Sequence, residues 1–413
     1  MKVLLLNRIS QLRGGADKYF QQLGQILSER GHAVTTFTAR CPGDPDVPGR
    51  EDFPDSFHEA TTPAPSFASK VRFFFRGIYS HSARAGLARL LERTRPDVAH
   101  LNNIYFQLSS SVLDALAEAG VPIVFSLHDY QLFCSNAYLY RHGKVCTQCS
   151  GFQFHHGLRF KCYRESYAGS LMSYLSKRLK HDRGLLDKVS AFVVPAQSMR
   201  RQVESLGLTG SRIEVIPNPF RIESLRVRDS YEPYVVFYGR LIRAKGIYTL
   251  LEASRRLPGI PLRIYGSGPE EEGVARAIRE HGLSHVHLET RLRWGPELEE
   301  IVARARYIVI PSEWPVPMDY VLCESLALGR AVITGDMGGN AELVVDGDCG
   351  KLFRSGDPVH LAEAMAGLFG DLKRVQEMGR RGRQTVEAAC GEERFYSRII
   401  GLYEDVVKTA ARA

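Results

Sequence analysis

Short apolar runs alternate with amphipathic stretches along the chain, and the alternation restarts near residue 220. In the first half, VLLLN at residues 3–7 and VPIVFSLH at residues 121–128 each precede a helical pattern. In the second half, YVVFYG at residues 234–239 and YIVI at residues 307–310 do the same. Short buried strands separated by helices are typical of parallel sheets covered on both faces. The pattern therefore predicts an α/β fold with two doubly wound, Rossmann-like domains.

The restart also predicts the domain boundaries. We expect an N-terminal domain over residues 1–220 with a basic, Cys-rich insert at about 130–185, and a C-terminal domain over residues 221–392. A last helix over residues 393–413 is expected to cross back to the first domain. Ligands of open parallel sheets bind outside the carboxyl ends of the strands. Two such sheets predict a cleft whose functional residues come just after strands.

Length and composition suit a two-domain protein whose basic residues are concentrated in one stretch. The 413 residues suit two domains, and no apolar run approaches the roughly 18–20 residues that span a bilayer. The start, MKVLLLNRIS, predicts a strand and not a signal peptide, so a cytoplasmic protein is expected. Residues 141–201 hold 12 basic and 3 acidic residues. Such a patch attracts an anionic partner or is simply a solvated face. No nucleic-acid motif accompanies it, and no nucleic acid is expected.

Glycines and cations follow several of the predicted strands. Gly14-Gly15 opens the first helix, where backbone approaches a phosphate or simply turns. The loop GRLIRAKG at residues 239–246 follows the first strand of the second domain. Its arginines and lysine suit a diphosphate, since Arg offers a bidentate fork and Lys a point charge. Gly266-Ser267 follows the next strand, and His128 ends the run at 121–128. The alternatives are turns, a solvated loop and a structural histidine.

Seven segments carry a family resemblance when taken together with their spacing. They are GGADKY, HDY, VIPNPF, GRLIRAKG, YGSGPE, PSEW…ESLALGRAVI and GGNAELVVDGDCGKLF. The chain resembles the retaining glycosyltransferases of family 4, which have the GT-B fold. The resemblance extends over nearly the whole chain.

The resemblance implies site residues, position by position. Arg240 and Lys245 resemble the pair that holds the donor diphosphate, and His128 resembles the histidine beside the donor sugar; these three are the implied catalytic residues. Glu324 resembles the second glutamate of the family's E-x7-E motif, which binds the ribose hydroxyls. Glycine-rich loops around the donor complete the set: Gly14, Gly15, Gly239, Gly266 and Ser267. The resemblance also implies metal-independent catalysis without a cofactor.

One position departs from the family pattern. The first glutamate of E-x7-E is replaced by Val316, and the following Gly-Phe-Gly-like segment reads Pro317-Met318-Asp319. We therefore assign Val316, Met318 and Asp319 to the donor site as the changed positions. Valine accepts no hydrogen bond. Glu313 or Asp319 could replace the missing acid only if the loop takes a different path.

The departure leaves more than one function open. An active enzyme would transfer a sugar from a nucleotide diphosphate sugar, with UDP favoured over GDP, to a glycan or lipid-linked saccharide in polysaccharide synthesis. A catalytically impaired GT-B protein would instead act as a binding or membrane-docking module. An epimerase of the same fold would need its own acid/base set.

Four of the eight cysteines cluster within the insert: Cys134, Cys146, Cys149 and Cys162. The C-x2-C pair flanked by two further cysteines suits a structural, tetrahedral zinc ion. The alternatives are four unrelated thiols or a disulfide pair, and the nearby His142, His155 and His156 are other possible ligands.

Two segments mix cations with apolar residues, at 70–76 and 171–180. A basic amphipathic helix lies in the bilayer interface with its cations on anionic head groups. We therefore expect peripheral association with the inner face of the cell membrane and a lipid-linked acceptor, the alternative being a core-facing helix. The cations are Lys70, Arg72, Arg76, Lys177, Arg178 and Lys180.

Overall fold

The N-terminal half forms a parallel sheet of six strands. The computed structural model describes residues 1–44, 47, 49–56, 67–292 and 294–412. The first eight strands are β1 (Lys2–Leu6), β2 (Ala33–Phe37), β3 (Val98–Leu101), β4 (Ile123–Ser126), β5 (Tyr140–Arg141), β6 (Lys144–Val145), β7 (Ala191–Val194) and β8 (Ile213–Val215). The sheet order is β2-β1-β3-β4-β7-β8, while β5 and β6 pair as a separate antiparallel hairpin.

The C-terminal half repeats this architecture. Its strands are β9 (Val235–Tyr238), β10 (Leu262–Tyr265), β11 (Val286–Glu289), β12 (Tyr307–Ile310), β13 (Val332–Gly335) and β14 (Gly350–Phe353). They form a parallel sheet in the order β11-β10-β9-β12-β13-β14. The strands at the centre of both sheets are buried along their whole length, as expected for sheets covered on two faces. The predicted fold class, two doubly wound domains, is confirmed.

Helices cover both sheets. Those of the first half are α1 (Gly15–Glu29), α2 (Phe67–Ile78), α3 (His81–Thr94), α4 (Ser111–Glu118), α5 (His155–Arg159), α6 (Tyr167–Asp182) and α7 (Gln197–Leu206). Those of the second half are α8 (Ile247–Arg255), α9 (Glu271–Glu280), α10 (Pro296–Arg304), α11 (Tyr320–Ala327), α12 (Gly338–Leu343), α13 (Pro358–Phe369), α14 (Leu372–Cys390) and α15 (Glu392–Ala410).

The chain passes between the two halves twice, and the two passages are adjacent. The amide of Phe220 donates to the carbonyl of Cys390 at 2.9 Å, and Phe220 also forms a backbone bridge with Gly391. Helix α15 then packs against α1 and β3 of the N-terminal half. Tyr403 of α15 lies with its hydroxyl 2.5 Å from His100 Nδ1, at the centre of the first sheet. The last helix therefore belongs to the N-terminal core.

Candidate functional site

A salt bridge between the two halves lies at the base of the cleft. Lys18, in the first turn of α1, donates from Nζ to Glu324 Oε1 of α11 at 2.6 Å. The Glu324 carboxylate is buried and also accepts from the Tyr238 hydroxyl at 3.3 Å. Burial raises the pKa of Glu324, and Lys18 opposes that shift. The carboxylate assigned to ribose binding is therefore paired across the cleft.

Lys245 has an internal partner as well. Its Nζ lies 2.6 Å from Oδ1 and 2.7 Å from Oδ2 of Asp319, and both side chains are mostly buried. Asn340 holds Asp319 in place, because its Oδ1 accepts from the Asp319 amide at 3.0 Å and its Nδ2 donates to Oδ2 at 3.4 Å. Asp319, which stands where the family pattern has a glycine, is therefore paired with Lys245, the cation assigned to the donor diphosphate.

The loop after β9 separates its cations. Arg240 is exposed and lies beside the Tyr138 hydroxyl, whereas Arg243 pairs with Glu270 at 3.1 Å. Gly266 is required for this packing, since its φ is +151° and a Cβ there would lie 1.8 Å from the carbonyl oxygen of Gly239. The glycines at 239 and 266 therefore let two loops meet at the mouth of the second sheet.

The glycine pair of the first half faces the same place. A Cβ added at Gly15 would lie 3.3 Å from the Tyr320 ring of α11, whereas one at Gly14 would meet no atom of the described residues within 4 Å. Gly14 therefore borders open space, and Gly15 is where α1 approaches the second half.

His128 also lies at this edge, after β4. Its Nε2 is 3.1 Å from Oδ1 of Asn102, and its ring packs on Tyr19 at 4.6 Å between centroids. Burial lowers the pKa of His128 to about 3. The imidazole is therefore neutral near pH 7 and able to exchange hydrogen bonds with a hydroxyl.

The segment that departs from the family pattern takes an unexpected path. Val316 is 2% exposed and packs in the apolar cluster of the N-terminal half, together with Trp314 and Ala244. This side chain contributes to the packing of the loop, because an apolar side chain gains by burial there, and its assignment to the donor site stays a prediction. Met318 is half-buried and packs against a second apolar cluster, which contains residues of both halves, so it also contributes to the packing of this loop.

Glu313 does not replace the missing acid. Its carboxylate accepts from the hydroxyls of Tyr140 and Thr249, which hold it away from Lys245. Asp319 is the replacement that the geometry favours, since it lies on Lys245 at the N-terminal end of α11.

Three tyrosines of the insert hold this segment from the other side of the cleft. Tyr130 donates to the carbonyl of Pro315 at 2.7 Å, and Tyr140 donates to Glu313. Tyr138 packs edge-on against Trp314 at 4.9 Å between centroids. The insert therefore determines the position of the loop that precedes Asp319.

Helix α6 is oriented opposite to the sequence prediction. Lys177 and Lys180 are 4% and 6% exposed and point inward, so their assignment to a membrane surface is wrong. The cause is the spacing of the small residues Ser173 and Ser176, which share their buried face. Arg178 is partly exposed and pairs with Asp182 at 2.8 Å.

Helix α2 agrees better with the prediction. Phe67, Val71 and Phe75 are exposed on one stripe, 83%, 38% and 64% respectively, with exposed Lys70 and Arg72 beside them. Arg76 lies elsewhere, because it is half-buried and donates to the carbonyl of Asp55 at 2.9 Å. Within the described ranges, no helix combines the length and apolar run needed to cross a bilayer.

The four clustered cysteines line one pocket between the hairpin and α5, together with His156 and Phe160. All are free thiols, and Cys134 Sγ donates to Asn136 Oδ1 at 2.9 Å. Burial raises the pKa of the Cys149 thiol to about 12 and that of Cys162 to about 11. Among the described residues, no three His, Cys, Asp or Glu side chains are arranged to hold a metal ion.

Comparison with known families decides the assignment. The family model described as Glycosyltransferase Family 4 matches residues 13–224, and that described as Glycosyl transferases group 1 matches residues 232–371. The chain belongs to glycosyltransferase family 4. Both matches fall on the two sheets described above, and the resemblance noted in the sequence is confirmed.

Individual relatives of this glycosyltransferase family agree. A 184-residue segment is 30% identical to alpha-maltose-1-phosphate synthase of Mycolicibacterium smegmatis, covering 41% of this chain and 46% of that protein. The chain thus spans about half the length of that relative. Glycogen synthase of Mycobacterium tuberculosis is 25% identical over 402 residues, which is 90% of this chain and 86% of that one.

Solved structures share the fold of this chain. Sucrose-phosphate synthase of Thermosynechococcus elongatus superposes with a TM-score of 0.73 at 17% identity, covering 99% of both chains. Anabaena HepE in complex with UDP and glucose superposes with a TM-score of 0.67 at 16% identity, covering 98% of this chain and 99% of that one.

Sequence reasoning missed three parts of the candidate site. Lys18 lies in the GGADKY segment, just after the glycine pair, but the resemblance gives it no role. Asn340 lies in the GGNAELVVDGDCGKLF segment, and its bonds to Asp319 depend on a contact 21 positions away. The tyrosines of the insert carried no signal, because aromatic residues near a strand end usually indicate a core.

Proposed function

We propose that this protein is a retaining glycosyltransferase that takes a sugar from a nucleotide diphosphate sugar, with UDP as the nucleotide. The acceptor is a glycan or lipid-linked saccharide in cell-surface polysaccharide synthesis. One observation carries the proposal: Asp319, which pairs with Lys245, also acts on the buried Glu324, and Glu324 pairs with Lys18 of the other half. The exposed Arg240 lies in the same loop as Lys245. Cations beside a carboxylate provide for a diphosphate and a ribose together.

The donor would have to exchange two internal contacts. A diphosphate would take Lys245 from Asp319, and ribose hydroxyls would take Glu324 from Lys18. Asp319, once released, would assume the part that Val316 cannot, since Glu313 is held by Tyr140 and Thr249. The choice of UDP is supported by HepE, which was solved with UDP and glucose.

The side chains would act through charge and orientation. Arg240 and Lys245 would stabilise the charge that develops on the departing diphosphate. Neutral His128 would orient a hydroxyl of the sugar. No side chain of the described cleft stands out as a nucleophile. We therefore favour attack of the acceptor from the same face as the departing diphosphate, which takes up the acceptor's proton.

Binding and hydrolysis assays test the donor proposal. UDP and GDP should be compared by thermal shift, followed by a panel of nucleotide sugars assayed for release of free sugar. Arg240→Ala should lower turnover by at least about a hundredfold. Arg243→Ala is the matched control, because that arginine stands in the same loop but pairs with Glu270. Normal turnover in the first variant would refute its role, and retention is checked by NMR of the product's anomeric proton.

If no nucleotide stabilises the wild type and no sugar is released, the protein is a binding module. Val316 and the two occupied site residues are what favour that second candidate. Enzyme activity with any nucleotide sugar excludes it.

We also propose that helix α2 rests on an anionic membrane. Its exposed Phe67, Val71 and Phe75 lie beside Lys70 and Arg72, a pattern that suits a bilayer interface. The test is co-sedimentation with vesicles of about 30% anionic lipid at low and high salt. Binding should fall when Phe67 and Phe75 are changed to Ser, or Lys70 and Arg72 to Glu. Arg178→Glu is the control, and a wild type that stays in the supernatant at low salt contradicts the proposal.

A structural zinc stays a proposal for the cysteine pocket. It is supported by the C-x2-C spacing and by the four thiols lining one pocket. The thiols would have to turn toward a common centre and lose their protons. Metal analysis of unchelated protein should give close to one equivalent of zinc, and less than about a tenth would count against it.

A further inference from the structure

The inner face of α6 forms one wall of a polar recess in the N-terminal half. Lys177 and Lys180 point into it, facing Tyr105 and Gln131. Serines from the loop before α4 and from α6 itself complete the lining: Ser109, Ser110, Ser173 and Ser176. The recess is therefore built from hydrogen-bond donors and two cations.

Lys180 lacks a counter-ion. Its ammonium group lies 5.5 Å from the centroid of the Tyr105 ring, and no hydrogen bond or salt bridge to it is formed by any described residue. Burial lowers the pKa of Lys180 to about 7. A pKa near 7 means that much of this lysine is neutral at neutral pH while no anion is present, and an anion in the recess would favour the charged ammonium.

Lys177 is nearly as poorly matched. Its Nζ donates to Ser173 Oγ at 2.7 Å, and no salt bridge to it occurs in the part of the chain that the structure describes. Burial lowers the pKa of Lys177 to about 8, and the nearby Cys134, Cys149 and Asp129 only partly oppose that shift. The recess therefore has an excess of positive charge.

A third donor points into the same space. Ser110 is 2% exposed, and its Oγ has no hydrogen-bond partner in the structure. The neighbouring serines are satisfied: Ser109 Oγ donates to Ser111 Oγ at 3.1 Å, and Ser173 Oγ donates to Ser135 Oγ at 3.0 Å. An orphaned buried hydroxyl destabilises the fold, and an acceptor oxygen would remove that cost.

We propose that this recess binds a phosphate or diphosphate group. The Lys180 ammonium and the Ser110 hydroxyl would donate to its oxygens, with Lys177 adding a second positive charge. A compact oxyanion with several acceptor oxygens is the ligand that two ammonium groups and a hydroxyl suit. The recess has a volume of about 10 Å³, which is room for about one water molecule, so the two lysine side chains would have to move outward to admit the oxyanion.

Position within the fold indicates which phosphate this is. Gln131 belongs to the loop after β4 that also carries His128, so the recess adjoins the cleft. On another side, α6 packs against α2, the helix with the exposed apolar stripe. A saccharide linked through phosphate to an apolar carrier would reach from α2 past the recess to the cleft. This identification of the phosphate as part of an acceptor rests on the proposed function.

Calorimetry with inorganic pyrophosphate tests the site without any sugar transfer. Saturating UDP is present throughout to fill the donor site. Lys180→Met should weaken pyrophosphate binding about tenfold or more, and Ser110→Ala several-fold. Arg178→Gln, on the same helix but outside the recess, should bind like the wild type. Thermal melts confirm that each variant is folded. If Lys180→Met does not fold, Ser110→Ala alone tests the site.

Two results would overturn the proposal. One is the absence of saturable pyrophosphate binding to the wild type, and the other is equal binding by wild type, Lys180→Met and Ser110→Ala. A soluble short-chain prenyl diphosphate distinguishes the source of the ligand. Tighter binding than pyrophosphate supports a carrier lipid, and equal binding supports a free diphosphate. If the wild type binds pyrophosphate but hydrolyses no nucleotide sugar, the proposed function is refuted and the proposed phosphate site is not.

Discussion

The carboxylate of Asp319 lies against the ammonium group of Lys245, with both oxygens within 2.7 Å of Nζ. Asp319 therefore neutralises Lys245, the cation that a donor diphosphate would need, and it stands where the family pattern has a glycine. Asn340 fixes the carboxylate in this position. The relationship makes the site self-neutralised and gives a direct prediction.

Asp319→Asn should bind UDP several-fold more tightly than the wild type. The substitution keeps the shape but removes the charge that competes for Lys245, and a mostly buried pair of this kind is worth about 1 kcal/mol or more. Titration calorimetry measures the change. Asp346→Asn is the control, since it breaks an Asp–Lys pair outside the cleft. Unchanged binding by Asp319→Asn would show that this acid does not compete for Lys245, and weaker binding would show that it helps to hold UDP.

Removing Lys18 should destabilise the protein. Lys18→Met leaves the buried Glu324 carboxylate without its cation, which costs about 3 kcal/mol when a buried pair is broken on one side. The double variant Lys18→Met, Glu324→Gln should recover most of the loss, because no charge is then left buried. Thermal denaturation of the wild type, of Lys18→Met, of Glu324→Gln and of the double variant gives the coupling energy between the two residues. Additive losses would mean that the two residues do not depend on each other.

Stability should fall as the pH drops below about 6.5, because of His100. This histidine is fully buried, and burial lowers its pKa to about 3. The unfolded chain takes up a proton near pH 6.5 and the folded protein does not, so acid favours unfolding. Between about pH 7 and about pH 5 the loss from this one group is about 2 kcal/mol.

The pH dependence of melting, compared between wild type and His100→Gln, checks this prediction. The variant should be less stable at neutral pH but lose less on acidification. A parallel decline of both proteins would assign the effect to other groups.

Tyr140→Phe should weaken UDP binding several-fold without unfolding the protein. The hydroxyl holds Glu313, and a hydrogen bond to a charged group is worth about 1.5–3 kcal/mol. Its loss frees the loop that precedes Asp319. Tyr167→Phe is a control on an exposed tyrosine of the same insert. Equal UDP affinity in all three proteins would separate the insert from the donor site.

The fold and half of the site followed from local sequence. Strand ends, glycine loops and Glu324 were predictable because the residues after a parallel strand lie at one edge of the sheet. The orientation of α6 was not, because Lys177 and Lys180 are buried against serines from other elements. Likewise, the packing of the Val316 side chain in the core of the other half was not predicted. Both outcomes were decided by contacts between residues distant in sequence.

The pair of adjacent passages at Phe220 and Gly391 has a mechanical consequence. The two passages are joined by a backbone hydrogen bond, so together they form a hinge with one bending axis. The two halves resist twisting against each other, which one connecting segment alone would allow. Opening of the cleft would then follow one arc, separating Lys18 from Glu324 and Trp314 from Tyr138 together. A protease cut in either passage alone would leave the halves joined, because α15 remains packed in the N-terminal core.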